Sequence, residues 1–288
     1  MSADAGRAWL AALPAELAAQ RRVIAVLLEF CVATSRVRSF SVGCSLGRGA
    51  ADALSDVDAA VGVADAADVG TVQAMVVAAL RAVVAPNLVD LLRFQSPSDV
   101  VVRRILAQFA DRTQLDLAIV PQSGIQLAGR PDFVSLYQAA GPGQAPGPQD
   151  AGDPASAYAV SSEQVREWAF HGWIELLDID KYLRRDSLWE AHDRLHQVRH
   201  HIWALWAAAT GALYPWHGLS QVLDNDPDDL PPGIEATVAG LNAADLRRAA
   251  RASAALLAKV SEAAGRRHHC ADLPTAMGGY VTRELARD

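Results

Sequence analysis

The sequence is short of cysteine and lysine, and its acids outnumber its bases. Cys31, Cys44 and Cys270 are few, odd in number and widely spaced. They give no disulfide framework and no zinc knuckle, and fit a reducing compartment. With 26 basic against 33 acidic residues the net charge is −7, which excludes a general nucleic-acid binder. No Gly-Lys-Ser/Thr follows the glycine-rich turn at 43–49, so a Walker phosphate loop is excluded. The opening MSADAGRAWLAALPAEL lacks a basic lead, and its apolar run is short and Ala-rich, against a signal peptide. The only long uncharged window, 202–223, is interrupted by Gly211, Pro215, His217 and Gln221. It reads as a buried helix and turn, not a membrane span. A cytoplasmic protein without a membrane partner is the expectation. The acidic run 224–229 has neither the spaced glycine nor the closing glutamate of a calcium loop. No internal repeat is evident.

The 288 residues that remain after these exclusions suffice for one large or two ordinary domains. Their most informative stretch is Ser39 to Val63, SFSVGCSLGRGAADALSDVDAAVGV. An apolar strand breaks into the small-residue turn Gly43-Cys44-Ser45-Leu46-Gly47-Arg48-Gly49. A polar span follows, then Ser55-Asp56-Val57-Asp58 and a second apolar run. Alternate residues of a strand share a face, so Asp56 and Asp58 present two carboxylates together. Like charges that close are costly unless a cation lies between them, and oxygen donors suit Mg²⁺. The turn upstream offers backbone N–H groups to a phosphate. A carboxylate pair beside a phosphate cradle is equipment for phosphoryl or nucleotidyl transfer; a solvated strand end is the plainer reading of the acids alone.

A third acid stands out. Asp116 interrupts the apolar run Leu115-Asp116-Leu117-Ala118-Ile119-Val120. An unpaired carboxylate buried in a strand costs several kcal/mol (order of magnitude), so either an exposed edge or a functional site is implied.

Periodicity organises the rest. Helices are expected over about 14–34 and 68–84, a buried strand over 88–94, a turn at 96–99, and a short helical or irregular piece through 102–105. A hairpin over 106–120 turns at Asp111-Arg112. Residues 139–157, rich in Pro and Gly, read as a linker between domains 1–138 and 158–288. Beyond it, apolar stripes predict helices over 161–182, 186–210 and 242–264, with a shorter piece at 219–223. The expected fold class is α+β: a mixed sheet with flanking helices, then an antiparallel helical bundle.

Other residues have two readings. Lys181, one of only two lysines, stands near a helix end, where it is either an ordinary surface cation or a ligand reaching a triphosphate. Arg36 and Arg38 read as a solvated linker or as contacts to an anionic substrate. His192, His196 and His200 form a slanted stripe that lines a cleft or pairs on a metal, and His268-His269-Cys270 reads as a flexible or packed tail rather than a ligand set. Six tryptophans concentrate after residue 160, as core or as stacking surface.

Ser45-Leu46-Gly47-Arg48-Gly49 and Ser55-Asp56-Val57-Asp58 resemble the signature of the nucleotidyltransferase superfamily. Cys44 stands where that signature has glycine, with Gly43 one place earlier. The helical second half resembles that of aminoglycoside and lincosamide adenylyltransferases. The resemblance implies transfer of a nucleoside monophosphate, commonly AMP from ATP or another NTP, to a hydroxyl of a small acceptor such as an aminoglycoside-like antibiotic. It implies two Mg²⁺ ions held by Asp56, Asp58 and Asp116, the last completing the second metal site or taking the acceptor's proton. Cys44, Ser45, Gly47 and Arg48 would hold the outer phosphates, with Lys181 added. Two other functions stay open: a toxin–antitoxin-type enzyme modifying protein hydroxyls, and a nucleotide-binding regulator without catalysis.

Overall fold

The computed structural model describes residues 2–96, 101–125, 132–139 and 159–286. The chain divides into two compact units, 1–151 and 152–288. Most of the Pro/Gly-rich stretch (140–157) and part of the expected turn at 96–99 lie outside the described residues.

The first unit opens with α1 (Ala3–Ala11), capped by the Ser2 hydroxyl accepting from the Ala5 N–H, and α2 (Ala18–Ala33). Pro14 and a 3-10 turn separate them, so the helix expected from residue 14 begins four residues later and another precedes it. The strands are β1 (Val37–Val42), β2 (Val57–Val63), β3 (Leu88–Gln95), β4 (Arg103–Phe109), β5 (Gln114–Pro121) and β6 (Val134–Gln138). Their order in one sheet is β3-β4-β5-β2-β1-β6. The β2–β5 pair is parallel and the other pairs antiparallel, which makes the sheet mixed.

Alternation decides what each face does. Val57, Ala59 and Val61 of β2, with Leu115, Leu117 and Ile119 of β5, join one core with α2 and with α4 (Val69–Val83). By length and composition 66–83 would suffice to cross a bilayer. In this fold Val69, Val72, Val76 and Leu80 are buried in that same core.

Two expectations fail here, one at the sheet's edge and one inside it. The 88–94 strand was expected to be buried, but β3 is the sheet's end strand and leaves Val89 and Leu92 about two-thirds exposed. Residues 103–105, expected to be helical or irregular, belong to β4 and pair β3 with β5. Strand β6 had too little pattern of its own to be foreseen.

The second unit is helical: α5 (Ser162–Arg184), α6 (Leu188–Thr210), α7 (Leu219–Asn225), α8 (Ala243–Arg267) and α9 (Thr275–Leu285). Ser161 and Gln164 form a reciprocal capping box at the start of α5, and Gly211, at φ 86°, ends α6 in the left-handed region. Val165, Leu176, Leu195, Ile202, Leu257 and Val260 belong to its core. Helix α9 was not foreseen; Val281 and Leu285 bury it, and Cys270 ahead of it is buried too.

Candidate active site

β1 leaves the sheet at Val42, and the four-residue α3 (Cys44–Gly47) turns the chain back. The Gly43 N–H donates to the Asp58 carbonyl at 2.8 Å, fixing the turn to β2. A Cβ on Gly43 would stand 2.6 Å from the Phe133 ring, and one on Gly47 would overlap the Asp132 carbonyl. The turn is thus seated on the segment leading into β6: at Gly47 the obstacle is backbone and requires glycine, whereas at Gly43 it is the Phe133 side chain. Ser45 is half-buried and Arg48 exposed.

Asp58 and Asp116 are Cα partners across the parallel β2–β5 ladder. Residues in register in neighbouring strands point to the same side, and here their neighbours Val57 and Leu115 point into the core. Both carboxylates therefore stand on the face opposite the helices. Asp56, exposed, lies just before β2 and two residues from Asp58. Burial raises the Asp58 carboxyl above its ordinary value, the Asp56 charge adds to this, and the Asp116 charge adds further. The Cys44 thiol, donating to Asp58, and the Arg104 guanidinium act the other way. The three acids thus share one electrostatic environment.

Two of them already have partners in the chain. Arg104, on β4, is bidentate on Asp116: its Nε donates to Oδ1 at 3.1 Å, and Nη2 donates to Oδ2. The Cys44 thiol is pushed up to about 12 by burial first, then by Asp58, so it remains a protonated donor. Cys44 also sits at φ 54°, a left-handed conformation that disfavours any residue with a Cβ. Among the described residues no three His, Cys, Asp or Glu side chains are grouped closely enough to hold a metal ion. As a donor set, Asp56 and Asp58 would fit a hard divalent cation, whereas both Asp116 oxygens accept from Arg104.

Lys181 is in the last turn of α5, in the second unit. Its Nζ bonds Asp178 at 2.5 Å and stands 4.5 Å over the Tyr182 ring. The structure gives it a local partner one helical turn away. Arg36 likewise pairs with Asp68. In the histidine stripe, the Nε2 atoms of His196 and His200 lie 3.1 Å apart. Arg199 approaches His196 Nδ1 at 3.5 Å. Trp173 is buried and Trp206 packs against the same core, whereas Trp189 is three-quarters exposed.

Sequence reasoning passed over Arg104 and Asp132. The latter is 2% exposed, with an Oδ1 that has no hydrogen-bond partner, and its charge reaches Cys44. An arginine one strand away from an acid leaves no local pattern; only the β4–β5 register reveals it. An apolar groove of about 410 Å³ between α2 and α4, lined by Ala25, Val26, Phe30 and Val83, belongs to the helical face, away from the carboxylates.

No family model and no curated protein sequence matches this chain. A solved structure, an aminoglycoside 6-adenyltransferase from Bacillus subtilis, is similar at 14% identity over 92% of this chain and 98% of that one. The TM-score is 0.39, a likeness too distant to assign anything to this chain, and the functional reading rests on the residues.

Proposed function

We propose that this chain is a nucleotidyltransferase, moving a nucleoside monophosphate from an NTP, with ATP the first candidate, to a hydroxyl of a small acceptor. The observation that carries the reading is the Asp58–Asp116 register, with Asp56 two residues upstream and the charges of all three felt at one carboxyl. Such crowding disfavours the fold and is relieved by a cation. Asp56 and Asp58, joined by Asp116, would hold Mg²⁺, which supplies charge neutralisation at the triphosphate.

The chain's own groups do the rest. The opening N–H groups of α3 have no intrahelical acceptors and, with the Ser45 hydroxyl, would hold the outer phosphates. Arg48 supplies positive charge beside them. The acceptor oxygen bonds the α-phosphorus as the bond to pyrophosphate breaks, and the hydroxyl proton passes to a carboxylate, Asp116 or a neighbour. Arg104 must then exchange Asp116 for another anion; a phosphate oxygen satisfies the same fork.

The test is incubation of the purified chain with Mg²⁺, labelled NTPs, a panel of hydroxyl-bearing antibiotics and cell lysate. Label on a small molecule, lost in Asp58→Asn, supports the reading. Label on protein moves the acceptor class to macromolecules. No transfer together with no nucleotide binding overturns it.

A second reading, a nucleotide-binding regulator, is favoured by one observation: the chain's own Cys44 and Arg104 occupy Asp58 and Asp116. Nucleotide binding in the absence of any transfer, unchanged by Asp58→Asn, would select it.

A further inference from the structure

Gln20 lies in the buried stripe of α2 with Val23, Ile24, Leu27 and Leu28, and is itself 0% exposed. Its amide nitrogen faces three backbone carbonyls of the loop before β2: Ser55 at 2.8 Å, Ala53 at 3.2 Å and Asp52 at 3.4 Å. The opposite amide assignment would turn an oxygen toward those three oxygens, so chemistry fixes the nitrogen there. The Oε1 atom is buried without a hydrogen-bond partner. A half-satisfied buried amide costs about 1–3 kcal/mol, a penalty that a leucine in the same stripe would avoid.

The loop that Gln20 grips is also closed on itself. Asp52 Oδ1 accepts from the Leu54 N–H at 2.9 Å and from the Ser55 hydroxyl at 3.1 Å. The Ser55 hydroxyl accepts in turn from the Asp52 N–H at 3.0 Å. This knot ends one residue before Asp56. Asp58 needs no such tether, because β2 is held between β1 and β5. Asp56 lies one residue ahead of the ladder: Val57, paired with Leu115, anchors its C-terminal side, and the loop sets its N-terminal side.

We propose that Gln20 is the positioning residue for Asp56: from the core side of the sheet it holds the 52–55 loop so that the Asp56 carboxylate stands beside Asp58. The proposal rests on the reading of Asp56 and Asp58 as a cation-binding pair. In chemical terms, a neutral buried amide sets the geometry of a charged group that it does not touch.

The test uses the full chain and Mn²⁺ alone as probe, with affinity read from the spin resonance of free Mn²⁺ and stability from thermal unfolding. Gln20→Met keeps length and apolar packing but removes the donors. Ile24→Val, one turn along the same helix, is the control for a general loss of stability. Wild type is expected to bind Mn²⁺, Asp56→Asn to lose most of that affinity, and Gln20→Met to weaken it about tenfold, the usual scale for a group that orients a metal ligand. Ile24→Val should lower the melting temperature and leave the affinity unchanged. In transfer assays Gln20→Met should raise the half-saturating Mg²⁺ more than it lowers kcat at saturating Mg²⁺. Mn²⁺ affinity unchanged in Gln20→Met but reduced in Asp56→Asn overturns the role of Gln20 alone. Equal weakening by Ile24→Val overturns it too, by making the effect one of stability. No Mn²⁺ binding by wild type, or affinity unchanged in Asp56→Asn, removes the cation pair and the proposal with it.

Discussion

The two units differ in what charge they leave unmatched. In the helical unit acids and bases are matched within a turn or across one helix contact: Asp178 with Lys181, Asp180 with Arg184, Glu175 with Arg194, Asp245 with Arg248. The sheet unit has such pairs too, Arg7 with Glu29, Arg22 with Asp111 and Arg36 with Asp68, but there Asp58 and Asp116 on one strand face and Asp56 just ahead of it also crowd together, beside one arginine fork, a thiol donor and a turn with Cys44 in a left-handed conformation. Local pairing along a helix is cheap and says little about function, because exposed pairs contribute under about 1 kcal/mol. Crowded, desolvated like charges oppose folding and persist where they have a use. The contrast is what supports the proposed site in the sheet unit, without reference to any relative.

The contrast is most severely tested at Asp58. Asp58→Asn should lower nucleotidyl transfer by about 10³-fold and raise the melting temperature by a few degrees. The sign follows from linkage. A carboxyl raised above its ordinary value of 3.8 binds its proton more tightly in the folded chain, so stability falls as pH rises through the folded value. The amide carries no such loss at neutral pH. Transfer assays and calorimetry on one preparation decide it; reduced activity with reduced stability would make Asp58 a structural residue.

The glycines give the next largest effect. Gly47→Ala sets a methyl against the Asp132 backbone, whereas Gly172→Ala on α5 meets the movable Leu257 side chain at 2.8 Å. Denaturant unfolding should show a loss of about 3 kcal/mol for the first and about 1 kcal/mol for the second. Equal losses would show that the turn's seat on Asp132 and Phe133 is soft.

The helical unit has its own sensitive point, His201. Burial, then the neighbouring His171 and His200, lowers it to about 4, and its ring stacks on His171 at 6.0 Å. A histidine that stays neutral when folded but takes a proton near 6.5 when unfolded loses stability as pH falls from about 6.5 toward 4. A loss of about 3 kcal/mol is expected in that window. Six of the seven tryptophans lie in this unit, so tryptophan fluorescence follows it directly. His201→Phe should flatten the acid limb; an unchanged limb would assign it elsewhere.

The smallest effect concerns Cys44. Cys44→Gly should stabilise by about 1 kcal/mol, through relief of the left-handed backbone, while Cys44→Ala should not. Equal effects would trace the gain to loss of the thiol.

Much of the candidate site was legible because its signal is local. Gly43 to Gly49 and Ser55 to Asp58 lie within sixteen residues, and the alternation that puts Val57 inward also puts Asp58 outward. Asp116 was legible as a charge in an apolar run. The partners were not: Arg104 reaches Asp116 through a strand pairing, and Gln20 reaches the 52–55 loop from 32 to 35 positions away. Edge placement escaped for the same reason, since β3 differs from a central strand only in what lies beside it.

By itself, then, the sequence determined the α+β class, the acids and glycines available for chemistry, and most of the helices, because period and turn chemistry are properties of neighbours along the chain. Tertiary structure alone decided that β2 runs parallel to β5 with Asp58 opposite Asp116, that Arg104 and Cys44 hold those carboxylates, and that a buried glutamine holds the loop before Asp56. Those facts depend on register and burial, which exist only when distant segments meet.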